Sequence, residues 1–299
     1  MTLVFLLYAL FAAVFTVSKE ALFHAAPFFL VGVRMFAAGL LFLGILFLRG
    51  KRKFSLSKKA FGKVILLAIF NIYLTNVLEF WGLKYLTSAK TCFIYSLSPF
   101  ASALISFFWL GERLSPKKWL GFAIGAGGLF PILLSQTSHE NVAGTLWLFS
   151  WAELAVLVAV FTSSFGWTLL RDLVSREGLS PLEANCFSML LGGLFALFHS
   201  FFQESWTPVP VTSFPPFLLT SALLILLSNG ICYNLAGFLL KRFSATFMAF
   251  AGLTTPLFTA FFGWMFHGEV TSASFWLSYS IVIAGVILFY QEEKSPVTE

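Results

Sequence analysis

Apolar residues run along this chain in ten long stretches, and polar residues gather in the short gaps between them. The stretches are roughly Thr2–Phe23, Phe28–Leu48, Val64–Lys84, Ser88–Leu110, Lys117–Leu134, Thr145–Leu170, Leu182–Phe202, Pro216–Leu240, Ser244–His267 and Ser272–Tyr290. Each is close to the ~20 mainly apolar residues that an α-helix needs to cross a bilayer. The longest gaps, Arg49–Lys63 and Gln203–Pro215, are too short for a soluble domain; Pro208, Pro210 and Pro215 make the second an irregular loop. The pattern predicts an all-α integral membrane protein of ten transmembrane helices.

Shifted by 157 residues, the chain lines up with itself. Lys84, Pro99, Gly111, Glu112, Ser115, Trp119 and Gly128 fall on Lys241, Pro256, Gly268, Glu269, Ser272, Trp276 and Gly285. Such self-similarity sets the architecture before single residues are read. It divides the chain into a first repeat over 1–143 (helices 1–5) and a second over 144–299 (helices 6–10). Five spans is an odd number, so the second repeat enters the membrane from the opposite side and the repeats are inverted. Inverted repeats are the mark of secondary transporters that work by alternating access.

Composition agrees. The chain is 59% hydrophobic and 11% charged, with 39 phenylalanines, whereas a soluble domain carries about 25% charged residues. The net charge of +6 does not point to nucleic acid, because the basic residues lie in loops between spans. With the N-terminus in the cytoplasm, fifteen of the nineteen Lys and Arg residues fall on the inner side, which places both termini inside. Cys92, Cys186 and Cys232 all lie in apolar stretches and offer no disulfide framework. The N-terminal stretch has no basic flank or cleavage site and is read as the first span.

The chain resembles the EamA branch of the drug/metabolite transporter superfamily over nearly its whole length. In the first half the likeness rests on Pro27 to Arg34, on Leu83-Lys84-Tyr85-Leu86-Thr87-Ser88-Ala89, on Ser98-Pro99, on Gly111-Glu112-Arg113-Leu114 and on Trp119-Leu120-Gly121. In the second half it rests on Phe243-Ser244-Ala245, Thr255-Pro256 and Gly268-Glu269, with a departure at Val270. The resemblance implies a ten-helix carrier with a central cavity in a bacterial inner membrane. Within that family, the Phe-rich composition is similar to the S-adenosylmethionine importers of obligate intracellular bacteria, which implies uptake of that metabolite in exchange for S-adenosylhomocysteine. An amino-acid, nucleoside or drug exporter is the alternative of the same class; a lipid-linked flippase, a channel and a scaffold are alternatives of other classes. Enzymatic readings fail on inventory: Asp172 is the single aspartate, and no His-Glu-x-x-His motif is present. No cofactor or metal is expected; the expected partners are a small-molecule substrate and the lipid bilayer, with monomer and dimer both open.

Ionisable residues inside a bilayer are costly and point to function. Two acids lie well inside spans, Glu79 and Glu153. Asn71, Thr75 and Asn76 precede Glu79 by eight, four and three residues, a spacing that makes one polar stripe on a regular helix. Glu153 stands near the outer end of the sixth span, three residues after Ser150, and has Trp151 beside it. Tyr95 shares a face of the fourth span with Ser98, Ser102 and Ser106. Asn229 and Tyr233 form a polar step on the eighth. Glu79 or Glu153 is expected to balance cationic groups of the substrate. Tyr95, Tyr233, Trp151 or Trp167 is expected to stack an adenine or face a sulfonium. Lys19 is expected to receive a carboxylate, with Arg34 as a second possibility; either could instead reach lipid headgroups. Trp109, Trp147 and Trp206 are assigned to interfacial belts. Glu112 and Glu269 are read as caps or loop salt bridges, Pro99 and Pro256 as mid-span bends, and Gly121, Gly125 and Gly128 as a close-packing surface.

Overall fold

The structure is a computed structural model that describes residues 2–50, 57–110, 115–133, 144–146, 149–243, 248 and 251–290. Gly111, Glu112, Arg113, Trp147, Ser244 and Ala245 lie outside the described residues, as do the side chains of Ser106 and Trp109.

Ten helices carry the described chain. They are α1 (Thr2–Ala21), α2 (Pro27–Leu48), α3 (Lys58–Tyr85), α4 (88–110), α5 (Pro116–Gly127), α6 (Trp151–Ser175), α7 (Pro181–Gln203), α8 (Phe214–Leu239), α9 (252–267) and α10 (Ala273–Tyr290). Among the described residues six of them, α1, α2, α3, α6, α7 and α8, have both the length and the apolar composition to cross a membrane. Side-chain caps start several: Ser57, Thr87, Ser115, Ser150 and Ser180 each accept a bond from an amide of the following first turn.

Two sequence expectations need correction. The sixth helix begins at Trp151, not Thr145, because Ser150 and Glu153 form a reciprocal capping box. Ahead of it, Thr145–Leu146 pairs antiparallel with Phe149–Ser150 as a minimal strand pair in an otherwise helical protein. The third helix starts at Lys58, a turn and a half before Val64, behind the Ser57 cap.

The helices pack as two halves related by exchange. α2 lies on α7 and α5 on α10; α3 and α4 lie on α6 as α8 and α9 lie on α1. Swapping each helix with its counterpart five places on maps these contacts onto themselves. Small residues permit the closest approach, as the sequence predicts: a Cβ on Gly285 of α10 would sit 2.5 Å from Gly125 N and 2.7 Å from Gly121 O of α5. One apolar cluster surrounds the α2–α7 pair and another the α5–α10 pair. A cavity lies between them.

At both prolines the regular α-helix is interrupted. Pro99 and Pro256 each follow a short 3-10 turn, Tyr95–Leu97 and Gly252–Thr254, because proline has no N–H to return and its ring crowds the preceding turn. Gly268 ends α9 in the left-handed region at φ 64°, where a side chain is strained. The Glu269 carboxylate that follows accepts the amide of Ser88 at 3.1 Å, so it caps the first turn of α4.

Candidate substrate cavity

The cavity has a volume of about 160 Å³, counted as space open to the centre of a water molecule, and is walled by residues of α1–α4, α6, α8 and α9 with Leu240 and Met248 beside them. Along α1 it runs from Phe15 to Leu7. Its walls are mainly apolar, with a few convergent polar groups, which is the usual make-up of a small-molecule site.

Four of the residues predicted to bind substrate meet there: Glu79, Asn76, Tyr95 and Tyr233. Trp167 and Arg34 join them. The Tyr95 hydroxyl, at the start of a 3-10 turn in α4, donates to Glu79 Oε2 of α3 at 2.6 Å. Arg34 is 1% exposed. Its Nη2 donates to Asn76 Oδ1 at 2.7 Å, and its guanidinium lies 4.7 Å over the Phe80 ring. It is therefore a buried cation of the wall, not a residue reaching for headgroups. Glu79 and Arg34 line the same cavity. Aromatic residues line the same cavity in contact with one another: Trp167 is tilted on Tyr233 with centroids 5.4 Å apart, Phe11 meets Trp167 edge-on at 6.4 Å, and Phe15 meets Tyr95 edge-on at 5.7 Å.

Asn76 is held by the backbone of its own helix. Residues Ala68–Leu74 form a π segment within α3, which leaves carbonyls without their i+4 amides. The Asn76 amide donates to two of them, Asn71 O and Ile72 O, both at 3.0 Å, and to the Tyr233 hydroxyl at 3.3 Å. Its donors thus engaged, the amide turns its oxygen to Arg34.

The same π segment removes Asn71 from the site. On a straight helix Asn71 and Glu79 share a face; the wider turn rotates Asn71 toward α6, where it packs against Gly166. A second π segment, Ile225–Cys232 in α8, does likewise to Asn229, whose amide donates to the Met35 sulfur at 3.0 Å while Tyr233 faces the cavity. Lys19 instead donates to Leu83 O at 2.8 Å and Leu86 O at 2.6 Å, capping the end of α3. Glu153 holds the Ser150 amide and a buried ion pair with Lys90 at 2.8 Å. Trp151 is 48% exposed in the first turn of α6. None of these five lines the cavity.

Cys92, Ser163, Ser164, Ser228 and Thr255 line the cavity without having been predicted to bind substrate. Ser163 and Ser164 sit four and three residues before Trp167, so the α6 polar face was available in the spacing. Ser228 lies inside a π segment, where regular spacing misleads. Among the described residues no group of three or more His, Cys, Asp or Glu side chains could hold a metal ion.

The sequence model of the EamA-like transporter family matches residues 1–134 and 150–291. The S-adenosylmethionine/S-adenosylhomocysteine transporter of Chlamydia muridarum (strain MoPn / Nigg) is 39% identical, over 97% of this chain and 91% of its own. The transporter of the same name from Chlamydia trachomatis serovar L2 is 40% identical, over 97% of this chain and 89% of its own. A solved crystal structure at 18% identity superposes with a TM-score of 0.65, over 98% of this chain and 97% of that one, and so has the same fold.

Proposed function

The chain belongs to the EamA-like transporter family, and from that premise we propose that it takes up S-adenosylmethionine across the bacterial cytoplasmic membrane in exchange for S-adenosylhomocysteine. It is a multi-pass membrane transporter, not an enzyme. The observation that carries the specific reading is a half-buried carboxylate that shares one cavity with an aromatic cluster: Glu79, bonded by Tyr95, with Trp167 and Tyr233 in the same lining. S-Adenosylmethionine brings an ammonium, a sulfonium, a carboxylate and an adenine. Glu79 faces the cationic groups, and the Trp167–Tyr233 pair offers a face to the adenine or the sulfonium. The two chlamydial relatives support the same substrate pair. Both termini lie in the cytoplasm on the distribution of Lys and Arg. The halves 1–143 and 144–299 rock against each other around the cavity, as inverted repeats do.

The test is uptake of radiolabelled S-adenosylmethionine into proteoliposomes, empty or preloaded with S-adenosylhomocysteine. Saturable uptake stimulated by the preload is expected. Glu79→Gln keeps the shape but removes the charge, and uptake falls at least ~100-fold, given that a desolvated cation loses its counter-charge. Absence of uptake by folded wild-type protein, alongside uptake of an amino acid or a nucleoside, would sink the substrate assignment. Full activity of Glu79→Gln would remove the carboxylate from the site.

A further inference from the structure

Arg34 is the least explained charge in the bundle. It is 1% exposed, and among the described residues it makes no salt bridge and its Nε finds no acceptor. A buried guanidinium left partly unpaired is expensive in a membrane and points to a task. The surroundings hold it ready for one. Phe80 supports one face, and Asn76 secures Nη2 with an oxygen fixed by the π segment. Glu79, in the same cavity, accepts a bond from Tyr95 at Oε2, and among the described residues it forms no ion pair with Arg34. Cation and anion line the same cavity without closing on each other.

We propose that Arg34 is the residue that binds the substrate's α-carboxylate, so that Arg34 and Glu79 together clamp the zwitterionic amino-acid end of the ligand. A guanidinium presents a rigid fork of donors matched to two carboxylate oxygens. Arg34 takes this role in place of Lys19, which the carbonyls of Leu83 and Leu86 engage at the end of α3. The inference rests on the reading of the cavity as an S-adenosyl site, and it adds a rule of selection: the ligand must carry a carboxylate. A guanidinium serving only as internal counter-charge to Glu79 would impose no such rule.

The experiment compares ligands that differ by one group. S-Adenosylhomocysteine and its decarboxylated form compete against radiolabelled S-adenosylmethionine in proteoliposomes, and each is titrated against the melting temperature of the purified full chain. Wild-type protein prefers the carboxylate form by ~10–100-fold, the worth of a hydrogen bond to a charged group. In Arg34→Gln that ratio collapses toward one; in Arg34→Lys, which keeps the charge and loses the fork, it falls between. A wild-type ratio near one overturns the proposal whatever the variants do. So does an Arg34 variant that weakens both ligands equally. If neither S-adenosyl ligand binds, the substrate reading has failed separately. Methionine against 3-(methylthio)propylamine then decides Arg34 on its own terms, and no carboxylate preference in that pair overturns it.

Discussion

In both α3 and α8 an asparagine fills the gap that a π segment leaves in the helix. Asn76 donates to Asn71 O and Ile72 O at 3.0 Å; Asn234 donates to Asn229 O and Gly230 O, also at 3.0 Å. Asn71 and Asn229, and likewise Asn76 and Asn234, lie 158 residues apart, one more than the 157 that relates the caps and prolines. The first half therefore carries one extra residue between Asn76 and Lys84. The backbone device is shared, but what hangs on it differs. Asn76 holds Arg34, and Glu79 follows three residues on. Asn234 accepts a bond of 3.3 Å from Asn185, a neutral partner on α7, and no acid follows it in Leu235-Ala236-Gly237. Symmetry between the halves thus extends to the π segments and stops at the charges. On the proposed function this is what a ligand with distinct ends requires, an asymmetric site on a repeated backbone.

The sharpest way to break the comparison is Asn76→Leu. It strips an acceptor from a buried guanidinium and removes the side-chain bonds to two π-segment carbonyls. Each such loss costs about 1–3 kcal/mol, and more for the charged group. Uptake in proteoliposomes drops ~100-fold, and the melting temperature of the detergent-purified protein falls with it. Asn234→Leu removes the same backbone cap without touching a charge. It costs about 2 kcal/mol of stability, and the substrate concentration giving half-maximal uptake stays within about threefold of wild type. Equal losses of uptake in the two variants would mean that Asn76 acts as a cap alone.

Packing on the two π segments gives a second, smaller contrast. A Cβ on Gly166 would lie 2.3 Å from Asn71 Cβ, so α6 presses directly on α3. Asn229 is cushioned instead by the Met35 and Met189 sulfurs at 3.0 and 3.6 Å. Gly166→Ala forces the helices apart, an overpacking cost of about 1–3 kcal/mol, whereas Met35→Leu exchanges similar volumes for under about 1.5 kcal/mol. Thermal unfolding of the two variants side by side checks the order.

These two segments also mark where the chain could and could not be read from its letters. Ten helices and their inversion follow from apolar run length and the repeat, because lipid permits few other ways to satisfy a backbone. Glu79, Asn76, Tyr95 and Tyr233 follow from polar residues set in apolar runs. Asn71 and Asn229 lie outside the cavity for one shared reason: spacing arguments assume 3.6 residues per turn, and a π segment breaks that count between the residue and its neighbours in sequence. Lys19 lies outside the cavity because it caps the end of a neighbouring helix, and sequence does not name the neighbour. Glu153 is different. Ser150-Trp151-Ala152-Glu153 spells a capping box, which assigns the acid to the helix start and sets the boundary at Trp151.

The mildest test lies at the neutral end of the comparison. Asn185 Nδ2 reaches Asn234 Oδ1 at 3.3 Å, while its own oxygen is buried without a partner. One long neutral bond is worth at most about 1 kcal/mol, and removing an unsatisfied oxygen returns part of that. Asn185→Leu is therefore near neutral in melting temperature, and uptake stays within about twofold of wild type. The equivalent removal on the charged side, Asn76→Leu, is the largest effect in this comparison. The gap between the two is a direct measure of how far side-chain chemistry has diverged on a common backbone bend. A large loss in Asn185→Leu would close it, and would make the α7–α8 contact a working part of the site instead of packing behind it.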